Sequence, residues 1–205
     1  MSLTRAIFGV AAASLLLTGC GEEFEGDDEG VADPSPYENG TGDAGAPDLA
    51  RVNAQFQTYS PGAKAVTYDE QAVPTGSSVT VHVTRDGQET DFNLSVSGLQ
   101  PDETYGAHLH TQPCGESPDA AGPHYQDNEA PEDASNDPEY VNDDNEAWLD
   151  FTTDGDGTAD SDADVDWHPR EGEDRSIVIH SDHTETAPGR AGEAGDRLAC
   201  VNVPL

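Results

Sequence analysis

Gly106-Ala107-His108-Leu109-His110, followed by Cys114 and then Ala121-Gly122-Pro123-His124, is the stretch on which the reading turns. In a chain with 7 His and 3 Cys, three imidazoles and a thiol fall between positions 108 and 124. His108 and His110 are two apart, so on a β-strand both rings point to one face and can grip one ion. Gly122-Pro123 are turn residues that can bring His124 back towards them. Downstream, Ser176-Ile177-Val178-Ile179-His180 is a β-branched strand ending in a fourth His, and Asp196-Arg197-Leu198-Ala199-Cys200 supplies a cation and a second thiol. Imidazole clusters suit copper or zinc; oxygen-rich sets suit calcium or magnesium.

Around these segments the pattern is all-β. Lys64 to Tyr68 is a short strand. Ser78 to Thr84 alternates, Arg85-Asp86-Gly87-Gln88 turns, and Phe92 to Val96 returns, which predicts a hairpin. Thr104 to His110 is the strand carrying the first two His. Pro113 to about Asn145 is a long Pro/Asp/Asn/Glu loop of the kind that carries function in a small domain. Ala147 to Thr152 and Thr158 to Trp167 read as a second hairpin around Asp154-Gly155-Asp156-Gly157, and Arg175 to His180 and Arg197 to Val203 are the last strands. No segment has a sustained helical period, so the expected architecture is an antiparallel β-sandwich or flattened barrel. Asp154, Asp156, Asp160, Asp162, Asp164 and Asp166 look superficially like a calcium loop. The EF-hand frame needs Gly at its sixth position and Glu at its twelfth, and neither fits. A turn followed by one solvated strand face is the simpler reading.

The amino end reads as an export signal. Arg5 is the charged region, Ala6 to Leu17 is apolar but too short to span a bilayer, and Leu17-Thr18-Gly19-Cys20 ends in small residues before a cysteine. The expectation is a signal peptide over 1–19, lipid on the Cys20 sulfur, and a domain tethered at a membrane surface. Residues 20–55 are rich in Glu, Asp, Gly, Pro and Ser and cannot bury enough apolar surface to offset ordering entropy, so they are expected to be an acidic tether. The domain is then 56–205. With 8 Lys+Arg against 42 Asp+Glu the net charge is −34. Nucleic acid is excluded as a partner, because binding it needs clustered cations. Such a surface suits a saline setting, where about 1 M salt shortens the Debye length to about 3 Å; an acidic secreted protein of low-salt habitat is the alternative. With Cys20 lipidated, Cys114 and Cys200 remain, either paired in an oxidising compartment or as two buried thiols.

The segments "GAHLH", "C…AGPHYQ", "SIVIH" and "GDRLAC", in this order from about Lys64 to Val203, resemble the copper/zinc superoxide dismutase family, whose members are standard examples of the β-sandwich, of electrostatic steering and of diffusion-limited catalysis. The resemblance implies a Greek-key β-barrel in which His108, His110, His124 and His180 bind copper. It also implies that Arg197 guides the anionic substrate, superoxide, and that Cys114 and Cys200 form a disulfide. The chain departs from the family in its zinc half. The family draws two further His and an Asp from the segment after the bridging His, here His124. No His occurs between Tyr125 and Trp167; that interval offers Asp127, Glu129, Glu132, Asp133, Asp137, Glu139, Asp143, Asp144 and Glu146. Carboxylates alone are a poor zinc set, and His82, His168 and His183 do not match zinc positions. The expectation is therefore copper with zinc absent, with an acidic residue near Glu146 hydrogen-bonding the far nitrogen of a ligand His. Without zinc, His124 could take up a proton on its free nitrogen. The segment Ser181 to Asp196 is short beside the family's electrostatic loop, which implies a more open site and weaker steering. The function implied is a copper-dependent superoxide dismutase at the outer face of the membrane. The alternative is a non-catalytic copper-binding or copper-buffering lipoprotein on the same fold. Oligomeric state is not legible.

Overall fold

Alternating burial defines the first sheet. Along Ser78–Asp86 and Glu89–Ser97, Val79, Val81, Val83, Phe92, Leu94 and Val96 are buried, while the residues between them face outward. Their register places Val79 opposite Val96, Val81 opposite Leu94 and Val83 opposite Phe92. Such cross-strand pairs are the unit of sheet stabilisation. Gly87, at a φ of 61°, makes the tight turn that joins the two strands.

The computed structural model describes residues 47–172 and 174–205. The signal segment, Cys20 and most of the tether lie outside the described residues. Nine strands are described: β1 (Asp48–Gln55), β2 (Ala65–Thr67), β3 (Ser78–Asp86), β4 (Glu89–Ser97), β5 (Thr104–His110), β6 (Phe151–Thr152), β7 (Thr158–Val165), β8 (Asp174–His180) and β9 (Arg197–Pro204). They form two antiparallel sheets, of order β1-β3-β4-β7 and β2-β9-β8-β5-β6. The only helical pieces among the described residues are two 3-10 turns, Pro118–Ala121 and Glu132–Ala134. The fold is thus an all-β antiparallel sandwich. No helix among the described residues is long and apolar enough to cross a membrane.

The second sheet is buried on both faces. Ala107, Leu109, Ile177, Ile179, Ala199 and Val201 face the first sheet across the core. On the other face, Val178 and Cys200 pack with Ala121 in a second, smaller cluster. The loops 111–147 and 181–196 cover that face. Gly106 shows how closely: a Cβ there would lie 2.6 Å from the Asp182 carbonyl oxygen and 2.8 Å from the Ala194 Cβ. The strand His residues therefore point into a covered layer and away from water.

Two sequence expectations are corrected. Residues 48–55, assigned to the tether, are strand β1, which pairs with β3 from Asp48↔Thr84 to Gln55↔Ser78. Small inward residues such as Ala50 read as linker composition, yet an edge strand needs only one modestly apolar face. The second hairpin is not one: β6 pairs with β5 in the second sheet and β7 with β4 in the first. The Asp154–Gly157 turn is a corner between sheets, with Asp154 Oδ1 accepting from the N–H of Asp156 and of Thr158, both at 2.9 Å. Turn chemistry of this kind looks the same at a hairpin and at a corner. Asp160, Asp162 and Asp164 form the exposed face of β7.

Cys114 and Cys200 form a disulfide that closes 86 residues and ties the loop after β5 to β9. Cross-linking a segment of this length restricts the unfolded chain. The double variant Cys114→Ser/Cys200→Ser should lose roughly 2–5 kcal/mol of stability, measured by urea unfolding; an unchanged midpoint would contradict this role.

Candidate metal centre

β5 and β8 lie side by side, with Gly106 opposite His180 and His110 opposite Ser176. That register sets His108, His110 and His180 on the same loop-covered face. A backbone bridge between His110 and His124 brings in the fourth ring. One nitrogen from each of His108, His110, His124 and His180 lies within 4.8 Å of the others. Among the described residues no other group of three or more His, Cys, Asp or Glu donors converges in this way. The acidic side chains between Asp127 and Asp144 do not gather into a donor set there. His82 pairs with Asp48 on the outer face of the first sheet, His168 meets the Thr90 hydroxyl, and the exposed His183 lies against Asp150.

The remaining nitrogen of every ring is fastened. His108 Nε2 donates to Thr184 Oγ1 at 2.6 Å, and that hydroxyl donates to Asp150 Oδ1 at 2.8 Å. His110 Nδ1 donates to the Gly122 carbonyl at 2.9 Å. His180 Nδ1 faces the Gly195 carbonyl at 3.5 Å, and His124 Nδ1 donates to Glu146 Oε2 at 2.9 Å. These contacts choose the tautomer and aim the opposite nitrogen inward. His110 Nε2 and His180 Nε2 end 3.3 Å apart. Among the described residues His108 Nδ1 is buried without a hydrogen-bond partner, a cost that a bound cation would remove. Burial, reinforced by the neighbouring imidazoles, holds His108 and His110 well below the usual imidazole range and pushes His180 down to about 4. At neutral pH these three rings are uncharged and offer lone pairs. The arrangement fits an ion that takes imidazole ligands, copper or zinc.

Glu146 is 1% exposed and lies at the far side of His124. Besides His124 it accepts from Trp148 Nε1 at 2.8 Å and Gln126 Nε2 at 2.7 Å. Three donors thus fill the carboxylate that sequence reasoning placed only approximately. Thr184, Asp150, Trp148 and Gln126 were not singled out from the sequence. Thr184 and Asp150 lie far along the chain from His108 and are revealed only by their positions in space; Gln126 and Trp148 are close in sequence to His124 and Glu146 but carry no local signal of their role. Arg197 opens β9, and its guanidinium donates to the carbonyls of Pro118 (3.1 Å) and Gly122 (2.8 Å). The Gly122 oxygen that orients His110 therefore also orients Arg197. Arg197, His124 and Glu146 line one open cavity of about 430 Å³.

The depressed His180 value has a thermodynamic consequence. Unfolding exposes a ring that takes up a proton near pH 6.5, whereas the folded ring resists until about pH 4. Acid therefore favours unfolding across that window. In metal-free protein, the stability advantage of wild type over His180→Gln should shrink as pH falls from 6.5 to about 4. An advantage independent of pH in urea titrations would contradict it.

The sequence pattern of the copper/zinc superoxide dismutase family matches residues 75–203. No curated protein matches the chain. Among solved structures, a double mutant of a SOD-like protein from Bacillus subtilis is 19% identical, with 63% of this chain and 91% of that chain covered and a TM-score of 0.47. A single mutant of a SOD-like protein from Bacillus subtilis is 18% identical over the same shares, with a TM-score of 0.49. The family match spans more than half of the sequence and includes all four converging histidines, both disulfide cysteines and Arg197: the chain belongs to the copper/zinc superoxide dismutase family.

Proposed function

We propose that the protein is a copper-dependent superoxide dismutase without a zinc site, tethered through lipid on Cys20 outside the cytoplasm. The observation that carries the reading is the four-imidazole cluster in which each ring has one nitrogen fastened and the other turned inward. His108, His110, His124 and His180 would hold copper. When bound, copper supplies a one-electron couple that takes an electron from one superoxide, releasing dioxygen, and gives it to a second, which leaves with two protons as hydrogen peroxide.

The chain's own groups do the rest. Arg197, held by two carbonyls and paired with no acid among the described residues, presents its positive charge to an anion in the cavity that His124 also lines. Its planar fork suits a small oxyanion. His124 donates its Nδ1 proton to Glu146, so its Nε2 is the nitrogen that would bind copper and that, when not bound to it, could carry a proton at the cluster. Glu146 occupies the place beside His124 where bimetallic relatives would need a second ion, and its three donors support copper alone. The lipid anchor and extracytoplasmic location rest on the sequence from Arg5 to Cys20.

Arg197→Ala separates this reading from a copper-buffering lipoprotein. The variant should retain its copper while kcat/KM falls by about tenfold or more, on the scale of losing a hydrogen bond to a charged group. Retained copper with an unchanged rate would favour the buffer. Net charge also sets the salt response. Because a protein of −34 repels superoxide, turnover should hold or rise as salt screens that repulsion. A steep fall with added salt would show that local positive steering prevails.

A further inference from the structure

The long loop between His124 and Trp148 begins and ends at the metal centre, and no His occurs in it through which a second ion could tie it down. Asn136 ties the loop's middle to the 181–196 loop, donating to the Ala191 carbonyl and accepting from the Gly189 N–H, and its two ends are held by the connection between β7 and β8. Trp167 Nε1 donates to the Asp144 carbonyl at 2.9 Å, next to the end of the loop. The Trp167 carbonyl in turn accepts from the fully buried Thr90 on β4, at 2.7 Å. Pro169 has its own φ fixed by its ring, and Arg170 after it reaches the start of the loop. Its backbone N–H donates to Tyr125 Oη at 3.1 Å, its guanidinium lies 4.1 Å from the Tyr125 ring centroid, and Nη1 donates to the Gln126 carbonyl at 3.2 Å. Tyr125 is fully buried, stands 5.3 Å from the Trp167 ring, and donates its N–H to the Leu109 carbonyl, between the two strand ligands.

We propose that the Trp167–Arg170 strap positions His124 in the way a second metal positions the matching residue of bimetallic relatives, with Arg170 as its principal side chain. Arg170 is a positioning residue and touches no ligand ring. Through Tyr125 it fixes the backbone that carries His124. Through Gln126, whose amide donates to Glu146 and accepts from the Ala130 N–H, it fixes the carboxylate that orients the His124 ring. A flat guanidinium can stack on an aromatic face and donate in the plane at once; an ammonium cannot do both. Arg170 also lines the cavity, 4.0 Å from the exposed Glu129. A role in steering superoxide would need its charge alone, so Arg170→Lys distinguishes the two.

This inference rests on reading the four-His cluster as a copper site. The test compares wild type, Arg170→Lys and Arg170→Ala, metal-free and loaded with copper. In metal-free protein, the His124 Nδ1 proton bonded to Glu146 is followed by NMR. In copper-loaded protein, the copper(II) EPR spectrum and kcat/KM are measured. Both variants should lose or broaden the proton resonance and shift the EPR spectrum. Copper stoichiometry should stay unchanged while kcat/KM drops by about tenfold, the lower end for groups supporting metal ligands. Arg170→Lys matching wild type in all readouts would overturn the proposal in favour of charge alone. An Arg170→Ala that only lowers the melting temperature would overturn it in favour of plain packing. If Arg170→Ala does not fold, Arg170→Lys decides. If wild type takes up no copper, the metal reading fails, and the proton resonance still decides the role of the strap.

Discussion

An imidazole has two polar nitrogens, and a ring buried out of water must find something for both. Three such rings, His108, His110 and His180, meet the partly buried His124 under the loops of the second sheet, and that requirement organises the surrounding structure. Thr184, Gly122, Glu146 and Gly195 serve the outer nitrogens of His108, His110, His124 and His180. The inner nitrogens face one another, and among the described residues His108 Nδ1 has no hydrogen-bond partner. Removing any outer partner frees a tautomer or a ring rotation, so the loops that carry them are part of the site.

The sheet makes this burial possible. β5 and β8 lie inside the second sheet, so each has a core face and a loop face. Leu109 and Ile179 anchor the first; His108, His110 and His180 occupy the second. The disulfide and Arg197 then join the first loop to β9 from either side, through Cys114 and through the carbonyls of Pro118 and Gly122. The very acidic exterior takes little part. The cation that faces the cavity beside His124 from β9 is held by neutral carbonyls, while Arg51 and Arg190 are spent on surface carboxylates. Surface charge governs association and solubility more than fold, and this interior shows that division.

Short-range patterns made much of this legible before any coordinates. The two-residue spacing of His108 and His110 and the β-branched run before His180 are local signals, and the strands fall where those signals lie. β1 escaped because Ala50 and Ala54 carry too little hydrophobicity to stand out from an acidic linker. Assigning β6 and β7 to one hairpin failed because Asp154 folds its turn identically whether the strands pair or part. Glu146 could be placed only roughly, as one acid among many. Thr184 and Arg170 carry no local mark: each acts on a residue more than forty positions away, and only the sandwich brings them together.

The central claim is a four-imidazole copper site that works without a second metal. Metal content and superoxide turnover, measured together on soluble protein from Gly21 to Leu205 reconstituted with copper in the presence and absence of zinc, test it most directly. The account predicts one copper, no tightly held zinc, and rapid turnover that zinc does not change. A stoichiometric zinc required for activity, or bound copper with negligible turnover even in high salt, would contradict it.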